Sequence, residues 1–202
     1  DKIECEPLKG EAASLDVVLG TARSMNKMAH VHVDQHNLVE ERETELLAHK
    51  VWEHRMEGSV AAVHQISLAA KPRQYREYIY GLMSESGMMS IACPSAWIDS
   101  RRSEQRMVRH NSVTPFDELA PRGIITAIGT DNISDIYLPM NNGDMLAEIS
   151  LLAKACHYFD NMDQIKHLVD AATTNGRLVL GLPTFHKNGR VRGDVKQLSA
   201  TI

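Results

Sequence analysis

Four stretches of the chain are apolar or alternate apolar with polar over a short distance: KMAHVHVDQ (27–35), SVAAVHQISL (59–68), MMSIACPSAWI (88–98) and GIITAIGTD (123–131). Each reads as a β-strand. They begin about thirty residues apart, the length of one βα unit, which predicts a parallel sheet. The segments between them carry helical signals. Asn37 is placed to cap LVEERETELLAHKVWEHRME, where Leu38, Leu46, Leu47 and Val51 form an apolar stripe and Gly58 stops the helix. Pro72 suits the first turn of PRQYREYIYGLMSES and Gly87 its end. GDMLAEISLLAKACHYF and MDQIKHLVDAATTNGRLVLGL are two more helical segments joined by DN, and EAASLDVVLGTARSMN is a helix ahead of the first strand. The pattern predicts four strands and at least five helices in one α/β domain over 1–182, with a tail of unassigned structure over 183–202.

Composition narrows the class without changing that picture. With 202 residues, 43% of them hydrophobic and 24% charged, the chain can bury a sizeable core. A net charge of -4 gives no electrostatic footprint for nucleic acid. Cys5, Cys93 and Cys156 are odd in number and far apart, so they read as reduced thiols in a cytoplasmic protein. No apolar run is long enough to cross a membrane and no secretory pattern is present, so no membrane partner is expected. The chain opens on Asp1, which reads as a processed or partial polypeptide.

The polar residues fall at informative places. His30, His32 and Asp34 alternate along one face of the first predicted strand. His64 lies near the carboxyl end of the second, and Asp131 ends the fourth in GTDN. In parallel α/β folds the chemistry collects at the carboxyl ends of several strands. Imidazoles and a carboxylate meeting there make a divalent metal site with a position left open for water. Each residue alone has a plainer reading, as a core histidine or a helix-capping carboxylate; the set at successive βα spacings favours the metal.

The order HVHVDQ, AVHQIS, ACPSAWIDS, GTDNISD and AATTNGRLVLGL resembles the later strands of the amidohydrolase superfamily, nearest the branch that contains cytosine deaminase. The resemblance implies a (β/α)8 TIM-barrel type of fold, of which this chain holds the strand five to eight half with flanking helices. It also implies one divalent ion, zinc or iron. His32 then matches the strand-five metal ligand, and Asp131 the strand-eight aspartate that binds metal and takes a proton from the attacking water. His64 matches the strand-six histidine, a ligand or a hydrogen-bond partner of the nucleophile, with His30 and Asp34 as reserve ligands or supporting groups. The implied reaction is attack of metal-activated water on an sp2 carbon that carries nitrogen, in a small nitrogen heterocycle or cyclic amide.

Two departures qualify it. Gln35 stands where the deaminase pattern HxDE has its glutamate, and an amide can hydrogen-bond but cannot shuttle a proton. Asn132 stands where a cytosine deaminase has a second aspartate. Gln35 remains a catalytic candidate by its place in the pattern, and Asp34, Trp97 and Asn132 are substrate-binding candidates, with Trp97 either core or a wall that stacks on a planar ring. The family's first-strand HxH pair has no counterpart ahead of His30. An inner face carrying Val31, Val33, Ala62 and Ile91, together with two open sheet edges, predicts a homodimer or a complementing amino-terminal barrel half. The other function class is an inactive fragment or degenerate homologue that folds and oligomerises without turnover. Arg101, Arg102, Arg106 and Arg109 read as a solvated face or as contacts to an acidic substrate, the ten methionines as core packing, and Ser95 as no nucleophile.

Overall fold

The computed structural model describes residues 2–5, 10–36, 38, 40–98, 113–185 and 191–192. It contains a parallel sheet in the order β1-β2-β3-β4-β5, formed by Lys2–Cys5, Met28–Val33, Val60–His64, Met89–Ala92 and Thr126–Ile128. Strands adjacent in sequence are adjacent in space, each joined to the next through helical structure, which is the winding of a (β/α) barrel. The α/β class and the four anticipated strands are present, and β1 is an addition. KIEC carries a charge at every second position and reads as polar; only its pairing with β2, Lys2 opposite Met28 through Cys5 opposite Val31, makes it a strand.

The strands are shorter than the apolar runs that announce them. β4 stops at Ala92, and Pro94–Ile98, read as strand, is a short helix (α4). Proline has no N–H to give a sheet ladder but fits a first helical turn, so the apolar run changes structure there. After β3 the chain turns into a 3-10 segment at Ser67–Ala70.

Helices α1 (Glu11–Ser24), α2 (Glu43–Glu53) and α3 (Arg73–Ser86) cover one face of the sheet. Leu15, Leu19, Leu47, Val51, Ile79 and Met83 from these helices form one buried cluster with Ala29, Val31, Val33, Val60 and Ala62. This corrects the inner-face expectation: Val31, Val33 and Ala62 point to the helices, and of the four residues named only Ile91 lies on the opposite face. The alternation that puts His30 and His32 on one side must send Val31 and Val33 to the other. The helix-side core continues over β5 with Ala92, Ile128, Phe116, Leu152 and Leu168. Phe116 belongs to α5 (Phe116–Leu119), Leu152 to α6 (Met145–Ala155) and Leu168 to α7 (Met162–Ala172). The inner face gathers Ala61, Val63, Met89, Ile91, Cys93 and Ala127 with Leu138 and Val179.

Helix ends show which local signals were sufficient. Asp144 caps α6 by accepting from the N–H groups of Leu146 and Ala147, and Asn161 caps α7 through Gln164 N–H. Gly87 ends α3 in the left-handed conformation at φ 63°, as its position predicts, while Pro72 sits one residue before the helix. The long segment expected over 162–182 breaks at Thr173, whose hydroxyl bonds back to Val169 O at 2.6 Å; α8 (Thr174–Val179) follows. A two-residue antiparallel pair, Thr184–Phe185 (β6) with Val191–Arg192 (β7), lies in the segment left unassigned.

Candidate metal and hydrolase site

β2 and β3 run side by side with His32 opposite Val63 and Val33 opposite His64. Strict alternation would send His64 to the helix side with Val33. Its backbone instead adopts φ 76°, followed by Gln65 at φ 56°, and the imidazole meets His32 from the inner face with Nε2 2.9 Å from His32 Nδ1. Asp34 (φ 51°) and Asp131 (φ 60°) are left-handed as well. Non-glycine residues in this region cost about 1–3 kcal/mol each and persist where surrounding contacts hold them. The contacts here are specific. Thr114 Oγ1 donates to His64 O, Gln65 N to Val33 O at 3.0 Å, Ser67 N to Asp34 O at 3.0 Å, and Asn141 Nδ2 to Thr130 O beside Asp131.

His64 is buried, and Asp131 Oδ2 lies 3.7 Å from its Nε2. Burial, followed by the neighbouring His32 and His36, pushes the His64 imidazole down to about 3. It is therefore neutral at neutral pH, and its approach to Asp131 is a dipole-to-carboxylate contact rather than an ion pair. The neutral ring is the form that ligates metal. Two of the three anticipated ligands, His32 and Asp131, thus converge on the third, His64 Nε2. Cys93 adds a donor beside His64 and Asp131: one ligand atom each from His64, Cys93 and Asp131 lies within 4.8 Å of the other two, a group that does not include His32. From its sequence context Cys93 reads only as a reduced thiol. Its place directly after β4, at the same strand end as His64 and Asp131, was the available signal. One imidazole, a carboxylate and a thiol at this spacing, with the His32 ring hydrogen-bonded to that imidazole, fit a divalent ion of the zinc type.

The remaining sequence candidates separate. Asp34 is buried, and its carboxylate accepts from Glu43 N at 2.9 Å, Thr44 N at 3.3 Å and Thr44 Oγ1, while Asp34 N donates to Glu43 Oε2 at 2.7 Å. This reciprocal capping fixes α2 to the end of β2. His30 Nε2 is 2.7 Å from Val179 O and holds α8 against the sheet. Gln35 is buried beside Asp34, and Asn132 is half-buried next to Asp131. Trp97 falls in α4 with its side chain outside what is described. Asn37, Arg101, Arg102, Arg106 and Arg109 lie outside the described residues.

A parallel βα array with a histidine and carboxylate cluster at its strand ends places the chain among barrel-type hydrolase folds. Residues 10–192 match the amidohydrolase family, and the chain belongs to that family. It is 26% identical over 176 residues to a pterin deaminase of Rhizobium rhizogenes, covering 85% of this chain and 39% of that protein. Among solved structures it is similar to 5-methylcytosine deaminase of Klebsiella pneumoniae, with a TM-score of 0.80 at 23% identity over 89% of this chain and 45% of that one. An adenosine deaminase of Xanthomonas campestris with bound zinc superposes with a TM-score of 0.62 at 19% identity, covering 89% of this chain and 38% of that one. The chain spans about 39% of the length of the curated relatives it matches. Among the described residues, no helix is long and apolar enough to cross a membrane.

Proposed function

We propose that this chain carries the metal-binding part of an amidohydrolase that cleaves a C-N bond of a small nitrogen heterocycle or cyclic amide. The convergence of His32 and Asp131 on His64 at the carboxyl ends of β2, β3 and β5 is the observation that carries it. Membership of the amidohydrolase family supports it, as do a pterin deaminase and an N-isopropylammelide isopropyl amidohydrolase among the relatives. Zinc is the ion favoured, because the donor set suits it and a structural neighbour holds it.

His32, His64 and Asp131 would hold the ion, which when bound supplies the Lewis acidity that makes water nucleophilic near neutral pH. Asp131, its side chain about one-fifth exposed at 22%, is placed to take the proton of the attacking water and return it to the departing nitrogen. His64, neutral, would offer to the ion the Nε2 lone pair that faces His32 and Asp131. Gln35 can hold a substrate by its amide but cannot carry a proton, which favours substrates other than cytosine or a different proton route. The working site is completed by a second copy of this chain or by a complementing amino-terminal half.

Metal analysis and turnover test this together. The purified chain should take up about one zinc, as the donor set implies, and His64→Ala or Asp131→Ala should remove most of it. On a panel of amino-substituted heterocycles the isolated chain should release little ammonia. A full-length relative sharing these residues should turn over, and Asp131→Asn there should cut kcat by about a thousandfold or more. A metal-free chain, or Asp131→Asn with full activity, would overturn the reading.

A further inference from the structure

Cys93 follows β4 directly and is 5% exposed on the inner face, packed with Val63, Ile91 and Ala127. Gly129 packs beside it: a Cβ there would stand 3.4 Å from Cys93 Sγ, an ordinary contact, and 3.2 Å from Ile91 Cγ2. Two potential ligands lie near the thiol, since donor atoms of His64, Cys93 and Asp131 all lie within 4.8 Å of one another. We propose that Cys93 supplies a thiolate ligand to the divalent cation of this site. The inference rests on the metal-dependent reading above and adds to it a donor outside the His32, His64 and Asp131 set.

Ligand atoms bound tetrahedrally at zinc distances stand about 3.5 Å apart, so a set within 4.8 Å closes on one ion by small side-chain rotations. A buried thiol among aliphatic groups is ordinarily inert, but one facing an imidazole and a carboxylate is placed where a cation would draw off its proton. When the sulfur binds, the S-H proton passes to solvent, a sulfur-metal bond forms, and one water leaves the cation. The resulting imidazole, thiolate and carboxylate set is softer than histidines and aspartate alone. It selects zinc, cobalt and cadmium over magnesium and calcium.

Cobalt(II) titration of the metal-stripped full chain reads the sulfur directly, because a thiolate bound to cobalt gives a near-ultraviolet charge-transfer band that nitrogen and oxygen donors lack. The band should appear on cobalt addition to the wild type and persist in a Cys5→Ser/Cys156→Ser variant. It should vanish in Cys93→Ser, with cobalt affinity by equilibrium dialysis lower by about tenfold or more. Should Cys93→Ser not fold by circular dichroism, the Cys5→Ser/Cys156→Ser variant still decides, since Cys93 is then its only sulfur of this type. Cobalt uptake lost on His64→Ala but without any charge-transfer band, or a band that survives in folded Cys93→Ser, would overturn the thiolate ligand and leave the metal reading standing. No cobalt uptake at all would overturn both.

Discussion

Buried charge at the end of β2 is concentrated in the pair Asp34 and Glu43, and the two carboxyls respond to pH in the same direction. Burial raises Glu43 from its ordinary 4.5 to about 7, against the opposing hydrogen bond from Asp34 N–H, and burial raises Asp34 as well. A carboxyl whose folded value is raised binds its proton more tightly when folded. Its contribution to stability is complete below the unfolded value and is lost as pH rises through 4.5 towards about 7. Denaturant unfolding at about pH 5 and about pH 8 should therefore show the wild type weaker at the higher pH by about 1–3 kcal/mol. Glu43→Gln keeps the hydrogen bond from Asp34 N–H and should remove most of that difference. An equal loss in the variant would show that Glu43 is not its source. His64 is the other residue at which environment rules, because burial among neighbouring imidazoles keeps it uncharged and able to ligate.

Helices here are held to strand ends by a small number of backbone-directed contacts. α2 begins six residues after Asn37, at Glu43, because the Asp34 carboxylate receives the N–H groups of Glu43 and Thr44. A side chain at the strand terminus is already fixed in space and caps the helix without needing an adjacent residue. The opposite end of α3 is fixed by Gly87 at φ 63°, where an added Cβ would stand 3.1 Å from Gly58 N, the backbone ahead of β3. Gly87→Ala meets both the left-handed penalty and that close approach. Urea unfolding should show a loss of about 1–2 kcal/mol, more than the left-handed conformation alone accounts for. A neutral or stabilising effect would mean that the turn relaxes. Gly87 was legible from the sequence because its cap is local, whereas Asp34 was not, since its partner lies nine residues away across a loop.

Across the molecule, the described part of the sheet ends in two open edges: β1 pairs only with β2, and β5 only with β4. Met162, Ile165 and Val169, spaced three and four apart on α7, are 75%, 40% and 51% exposed. Ile136, Tyr137, Met140 and Leu146 stand out beyond β5 in the same way. Unpaired edges and apolar surface of this kind are relieved by association. We propose a homodimer, with a complementing amino-terminal barrel half as the alternative occupant. Sedimentation equilibrium at micromolar protein should give twice the chain mass, or a complex of unit stoichiometry when the amino-terminal half is supplied. A stable monomer that ignores that half would defeat the proposal.

Periodicity and spacing in the sequence alone determined the α/β class, four of the five strands of the described sheet and the cap at Gly87, and they singled out the histidines and carboxylates that are candidates for a metal site. These are local quantities, since a two-residue alternation, a thirty-residue repeat and a capping residue all act within one element or one unit. The missed strand, Lys2–Cys5, has no apolar signature and exists through its ladder to β2. His64 is a candidate from the sequence, but its direction is not readable there. Its register opposite Val33 points it at the helices, and only the left-handed backbone held by Thr114, fifty residues on, turns it to His32. Cys93 joined the cluster for the same reason: three strand ends must be placed side by side before a thiol, an imidazole and a carboxylate can be seen to share one space. Those placements are set by packing between elements distant in sequence, and tertiary structure alone decides them.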